Sequence, residues 1–434
     1  MGFLNSEKII VGYDLGNEFS QISFAMAEDG EVETLSQVAG TQIYSIPTVL
    51  CKRSGVNQWF YGKEAIRYAE ESQGILVENL LALALDGEPV IIEGESFEPA
   101  ALLTLFFKRS LGLLSQVGSP DKIGALMITC EILDRGIFGV LEDVVERLRL
   151  KAVKVSFQSY MESYYNYMLH QPQELWTNQS VLFFYRSCCV KAYRMECNRR
   201  TTPVVTFIEE QDFPFPEWKE LPPEEEGGGR KGAELDRAFL RIAEEVCGDR
   251  KFSSVFLIGD GFSEEWMRES LRMLCRGRRV FQGNNLFSKG ACYGMQERLH
   301  VSEMGSKHVF LGSDKLKANI GMKVLRQGEE SYYALLDAGS SWYEAQHTME
   351  LYVREGNSIT MVITPLIGIG SRTEEIVLQD LQGSVARLRL SLHLETEDSL
   401  IVEVQDLGFG KFRASSGRRW KETIPLYGRE KGVE

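Results

Sequence analysis

The stretch Lys8-Ile9-Ile10-Val11-Gly12-Tyr13-Asp14-Leu15-Gly16-Asn17-Glu18-Phe19-Ser20 reads as a strand and a turn, and Ile22 to Met26 as the strand that returns. A short apolar run bounded by a glycine turn is the pattern of a strand buried on both faces. This one ends in Asp14-Leu15-Gly16, a carboxylate followed by bare backbone. Such a turn brings peptide N–H groups against a phosphate, because glycine lets the chain approach closely. The aspartate can hold a hydrated Mg²⁺ through water. Asp-Leu-Gly is also ordinary turn chemistry, so the rest of the chain has to decide.

Outward from that turn, Val140, Leu141, Val144, Val145 and Leu148 recur at helical spacing. A second strand pair opens at Val181-Leu182-Phe183-Phe184 and returns through Val190 to Met195. The first 302 residues therefore divide into halves of about 1–178 and 179–302, each a strand pair continuing into helices. That is an α/β organisation. In the second half the buried strand Ser254–Ile258 precedes Gly259-Asp260-Gly261-Phe262, with a helix expected to open at Ser263. Strand, glycine turn and helix in that order set backbone donors where a nucleotide lies. Gly290-Ala291-Cys292-Tyr293-Gly294-Met295 has the small residues of a close-packed helix, and Pro214 to Gly232 reads as a charged surface loop.

After about Met304 the texture becomes all-β. Leu388, Leu390, Leu392 and Leu394 alternate with polar residues, Leu400, Val402 and Val404 continue the alternation, and Met349, Leu351 and Val353 repeat it. Period two buries one face of a sheet. A C-terminal antiparallel β-sandwich is expected over 308–430, with Ser302 to Leu316 as the junction.

Composition excludes several classes. A net charge of -14 argues against a nucleic-acid partner, which needs a basic stripe to neutralise phosphates. No apolar run reaches the length of a membrane helix, so no membrane partner is expected. The eight cysteines and five histidines show no metal-ligand spacing. Met1-Gly2-Phe3-Leu4-Asn5-Ser6 fits only the loose myristoylation pattern, and a cytoplasmic location is the expectation.

Taken in order, these segments resemble the actin-like ATPase superfamily, in which two duplicated, RNase H-like halves clamp ATP. Asp14-Leu15-Gly16-Asn17-Glu18-Phe19-Ser20 looks like its first phosphate loop, and Ile258-Gly259-Asp260-Gly261 like its adenosine loop. Ile46-Pro47-Thr48, Gly62-Lys63-Glu64-Ala65 and Ser288-Lys289-Gly290-Ala291-Cys292 resemble segments of the seventy-kilodalton heat-shock chaperones (the DnaK-like branch). Met127-Ile128-Thr129-Cys130 onward, through the helix to Val155, looks like the connection between halves. Of these relatives the chaperones carry a sandwich after the clamp, and Ala318 to Met322 and Leu388 to Gly408 resemble it. The resemblance stops before the family's helical lid.

The resemblance implies a site of Gly16, Asn17, Gly259, Asp260 and Gly261 around ATP or ADP, with Asp14 holding Mg²⁺ through water. It also implies a peptide or protein partner. Departures count against catalysis. The second phosphate loop becomes Tyr185-Arg186-Ser187-Cys188-Cys189-Val190, without acid or glycine, and Glu78-Asn79 stand where the catalytic lysine falls. Gln158 falls where actins place a water-orienting glutamine, although a stray Gln within a tyrosine-rich helix is the better reading of the residue itself. Three functions follow from the resemblance: a chaperone-like protein-binding scaffold with a degenerate ATP site, either nucleotide-sensing or a pseudo-ATPase that holds no cofactor, a weak Mg-ATPase using Asp14 and Gln158, or an actin-like polymer subunit. Leu335, Leu336 and Trp342 are candidates for a peptide cleft or for core.

Overall fold

The computed structural model describes residues 8–26, 30–38, 40–150, 153–217, 228–248, 250–259, 261–262, 266–283, 285–354, 356–367, 370–381 and 385–426. The chain divides into two compact units, Met1–Val309 and Phe310–Glu434.

The first unit is mixed α/β and contains one strand pattern twice. In the first sheet β1 (Ile9–Leu15), β2 (Phe19–Ala25) and β3 (Glu33–Thr34) form an antiparallel meander. β4 (Ile123–Cys130) then adds parallel to β1, and β5 (Lys154–Ser159) parallel to β4, giving the order β5-β4-β1-β2-β3. The second sheet repeats this with β6 (Gln179–Arg186), β7 (Cys189–Asn198), β8 (Val204–Pro214), β9 (Phe252–Ile258) and β10 (Arg279–Gly283). β6, β7 and β8 make the meander, and β9 and β10 add parallel on the other side of β6. All seven residues of β1 are buried, as the continuous apolar run requires for a strand with helices on both faces.

Those helices follow from local signals. On the outer side of the first sheet lie α3 (Pro99–Leu111) and α4 (Arg135–Leu148). Before them α1 (Gly62–Glu70) packs on a separate three-stranded antiparallel sheet of residues 50–53, 59–61 and 74–77, and α2 (Leu80–Asp86) follows it. Pro99 opens α3, where its missing N–H costs nothing. Asp134 caps α4 by accepting the N–H of Ile137 at 2.9 Å. Phe107 of α3 stacks on Tyr13, ring centroids 4.3 Å apart. On the outer side of the second sheet lies α6 (Gly228–Cys247), whose Phe239, Ile242, Ala243 and Val246 pack on Val181, Phe183 and Tyr185.

Between the sheets run α5 (Tyr160–Leu169), which follows β5, and α8 (Leu286–Leu299), which follows β10; the short α7 (Glu269–Leu274) precedes β10. Each middle helix reaches the other repeat. Ala291, Cys292 and Met295 of α8 bury themselves against Ile10, Ala125 and Met127 of the first sheet. Tyr164 of α5 hydrogen-bonds Ser180 of β6 at 2.9 Å. Bare positions make this possible: a Cβ on Gly12 would lie 2.3 Å from the Cys292 nitrogen, and one on Gly290 2.0 Å from the Ser163 carbonyl oxygen.

Several expectations need correction. Helix α6 begins at Gly228, inside the stretch read as loop, and residues 218–227 of that stretch lie outside the described residues. Val155 and Gln158 belong to strand β5, not to a helix; the tyrosine-rich helix starts at Tyr160. Residues 263–265, where a helix was expected to open, lie outside the described residues, and α7 runs from Glu269.

The second unit is antiparallel β. One four-stranded sheet holds β11 (Ala318–Arg326), β12 (Glu329–Leu336), β14 (Ser358–Pro365) and β15 (Arg372–Val377). The other holds β13 (Gln346–Arg354), β16 (Val385–Thr396), β17 (Ser399–Asp406) and β18 (Arg419–Pro425). Leu388, Leu390, Leu392 and Leu394 are buried while Arg389 and His393 are exposed, as the period-two pattern predicts. Leu335, Leu336 and Trp342 are 6–8% exposed, which makes them core and removes them as cleft residues. Among the described residues no helix is long and apolar enough to cross a membrane.

The α5–α8 contact generates a paired expectation. Gly290→Ala should destabilise the protein by about 1–3 kcal/mol, because the new methyl meets backbone that cannot move aside. Gly139→Ala, in α4 with open space around it, should stabilise by roughly 0.5–1 kcal/mol through helix propensity. Urea unfolding midpoints check both; equal signs would refute the packing account.

Candidate functional site

The strand order places the first hairpin of each sheet at an equivalent position. The β1–β2 turn carries Gly16 to Glu18, the β6–β7 turn Ser187 and Cys188. Gly16 is required by the turn itself: its N–H donates to the Phe19 carbonyl at 3.1 Å, and a Cβ there would lie 2.6 Å from the same oxygen. The two turns meet, because the Ser187 hydroxyl donates to the Glu18 carboxylate.

Between them lies a pocket of about 240 Å³ whose lining includes Asp14, Gly16, Asn17, Glu18, Gly259 and Gly261. Residues from the ends of β1 and β9, far apart in sequence, thus line one cavity. Asp260 lies outside the described residues. Gln158 is not among the lining residues. Its amide is fully buried, donates to Ser163 Oγ at 2.7 Å and accepts from Asn166 at 3.3 Å. It sits under Gly294, where a Cβ would lie 2.4 Å from Gln158 Oε1. The position is structural, a wedge in the α5–α8 contact, and it orients no water in the pocket.

Asp14 is 7% exposed and accepts the Tyr160 hydroxyl at 2.6 Å. Burial pushes its carboxyl up to about 7, against the lowering effects of the Tyr160 hydrogen bond and of Arg186; Glu131 adds to the rise. Arg186 is tied to Glu131 at 2.6 Å, and Glu131 also receives Lys191 at 3.0 Å. Asn17 is engaged elsewhere, its Oδ1 accepting the N–H of Ala82 in the first turn of α2 at 3.1 Å.

Tyr160, Phe184 and Phe287 also line the cavity and were not legible as site residues. Tyr160 opens α5, Phe287 is the second residue of α8, and their rings stack 3.9 Å apart at 7°. The signal that locates them is the internal repeat, since each stands where the chain leaves the fifth strand of its sheet for the following helix.

A family model described as Family of unknown function (DUF5716) C-terminal matches residues 31–313. The chain belongs to that family. The match begins after β2, so the Asp14 turn precedes it. A second model, Domain of unknown function (DUF8552), matches residues 315–426, within the β unit. No curated protein matches the chain.

A magnesium nucleotide does not fit the residues present. The Gly16 N–H is spent on its own turn. Gly259, at φ +110°, and Gly261 hold Tyr185: a Cβ on the first would lie 2.2 Å from the Tyr185 carbonyl oxygen, on the second 2.4 Å from its ring. The glycines that would let a nucleotide approach are filled by the protein. Glu18 and Asp14 both line the pocket, and a phosphate about 4 Å from a carboxylate is repelled by roughly 1–4 kcal/mol at effective dielectrics of 80 to 20. Among the described residues no group of three or more His, Cys, Asp or Glu is placed to hold a metal ion.

The raised Asp14 carboxyl makes a stability prediction. The native state keeps its proton up to about pH 7 while the unfolded chain loses it near pH 4, so stability falls as pH rises between those values. Asp14→Asn removes this cost. It should leave the midpoint of thermal unfolding unchanged near pH 4 and raise it by several degrees at pH 8, for a gain on the order of 3 kcal/mol. A wild-type protein that melts higher than Asp14→Asn at pH 8 would reverse the assignment.

Proposed function

We propose that this chain is a chaperone-like protein-binding scaffold: a two-lobed, actin-like clamp with a degenerate ATP site, followed by a β-sandwich that holds a peptide or partner protein. The repeated strand order supports the duplicated RNase H-like reading, with corresponding hairpins of both repeats turned toward one pocket. An all-β unit after the clamp favours the heat-shock-chaperone branch over actins and weighs against a polymer subunit. A cytoplasmic setting belongs with this reading.

One observation carries the non-catalytic part. The groups that would receive phosphates are already occupied: Ser187 donates to Glu18, Arg186 is held by Glu131, and Tyr185 fills the approach at Gly259 and Gly261. Phosphoryl transfer depends on positioning and charge stabilisation, and both are absent when the donors are spent and the free charge is negative. A weak ATPase needs a water-orienting group in the pocket, and Gln158 is locked beneath Gly294 instead.

Calorimetry on the full chain with millimolar Mg-ATP should show neither binding heat nor phosphate release above the blank, and Asp14→Ala should behave identically. Micromolar binding that Asp14→Ala abolishes would overturn the degenerate-site reading. For the sandwich, a peptide array probed with the full chain should retain spots that a chain ending at Val309 loses; identical patterns would remove the partner from the β unit.

A further inference from the structure

We infer that the pocket between the two hairpins binds a small organic cation, an ammonium or amidinium carried on a flat apolar body. This rests on the reading that the pocket no longer receives phosphate, and it assigns the ligand class that the remaining groups suit.

The charges come first. Among the described residues three charged side chains line the pocket: Asp14, Glu18 and Arg186. The Arg186 guanidinium pairs at 2.6 Å with Glu131, which stands outside the lining. The lining therefore presents two carboxylates and one cation that is engaged with a third carboxylate. Coulomb's law in a half-enclosed site then favours positive charge and opposes negative.

Hydrogen bonding gives an independent indication. Asp14, 7% exposed, takes the Tyr160 hydroxyl on Oδ1 at 2.6 Å. Gln21, 5% exposed and also in the lining, spends its Nε2 on Ser45 Oγ at 3.1 Å, and its buried Oε1 has no partner. That deficit is of a donor. A buried acceptor without a donor is costly, and an N–H-rich cation carries donors and no acceptor.

The walls fit the same ligand. Tyr160 and Phe287 stack face to face, and Phe184 stands edge-on to both, with centroids 6.0 and 5.4 Å away at 80° and 82°. Phe19, 44% exposed, lies at the rim. Aromatic faces attract cations and stack on flat bodies. At about 240 Å³ the cavity falls below the roughly 300–1,000 Å³ of drug-sized sites, which points to a single-ring ligand.

The groups around the Asp14 carboxyl are Tyr160, Arg186 and Glu131, with Glu18 on the adjoining turn. Burial holds Asp14 neutral below about pH 7, so cation binding strengthens as pH rises through that value.

Ligand-observed NMR and calorimetry on the full chain test this with benzylammonium, neutral benzyl alcohol and benzoate. At pH 8 benzylammonium should bind about tenfold more tightly than benzyl alcohol, the equivalent of about 1.4 kcal/mol, and benzoate should not bind. Lowering the pH to 6 should erase most of that preference, as should Asp14→Asn. Glu18→Gln, at an exposed position, should reduce it in part and serves if Asp14→Asn does not fold. Benzoate binding as tightly as benzylammonium, an undiminished preference in a folded Asp14→Asn, or no binding by any probe would overturn the inference. A parallel titration with Mg-ATP separates the two readings: if neither ATP nor the cation binds, only the present inference falls, whereas tight ATP binding removes the degenerate site beneath it.

Discussion

Close contact at three glycines of the α/β unit, backbone on backbone at two of them, holds its two sheets in their relation. Gly12 on β1 admits α8, Gly290 on α8 admits α5, and Gly294 admits the side chains of Gln158 and Asn166. Because α8 follows the second sheet yet packs on the first, and α5 follows the first yet bonds to the second, each repeat completes the core of the other. Interiors are packed to crystal density, so a methyl group added at any of these points displaces an element and not merely a neighbour.

The pocket is a consequence of that exchange. Asp14 lies two residues beyond Gly12, Tyr160 begins the helix that Gly290 touches, and Phe287 begins the helix that carries Gly290 and Gly294. The crossing that closes the core therefore also brings a buried acid and an aromatic wall to one cavity. The same economy explains why the phosphate-binding features are spent. Backbone bareness at Gly259 and Gly261 serves Tyr185, and the polar ends of the two hairpins bond to each other. Groups satisfied within the protein gain nothing from an incoming anion.

Polar chemistry around the cavity reinforces this arrangement. Glu131 takes both Arg186 and Lys191, so a carboxylate of the first repeat, and not Asp14, is the direct ion-pair partner of the cations on the second hairpin. The carboxyl then answers to burial first, and its proton is held to about pH 7.

Local chemistry was enough to read much of the fold from the sequence. Apolar runs marked β1, β6 and β9, period two marked β16 and β17, and small residues marked α8, because strand burial and helix proximity each impose a repeat on neighbouring positions. The join of the Asp14 turn to Gly259 across one groove was also readable, through the order of loose motifs. Other features were not. The start of α6 at Gly228 contradicts what its glycines suggest locally, and Gln158 looks the same in sequence whether it faces a cavity or lies beneath a glycine. Sequence by itself determined the elements, the repeat and the residue types at the turns, since propensity and periodicity act between near neighbours. Tertiary structure alone decided which of those groups remained free, since a donor or a bare backbone is used up only by a partner that folding brings from elsewhere in the chain.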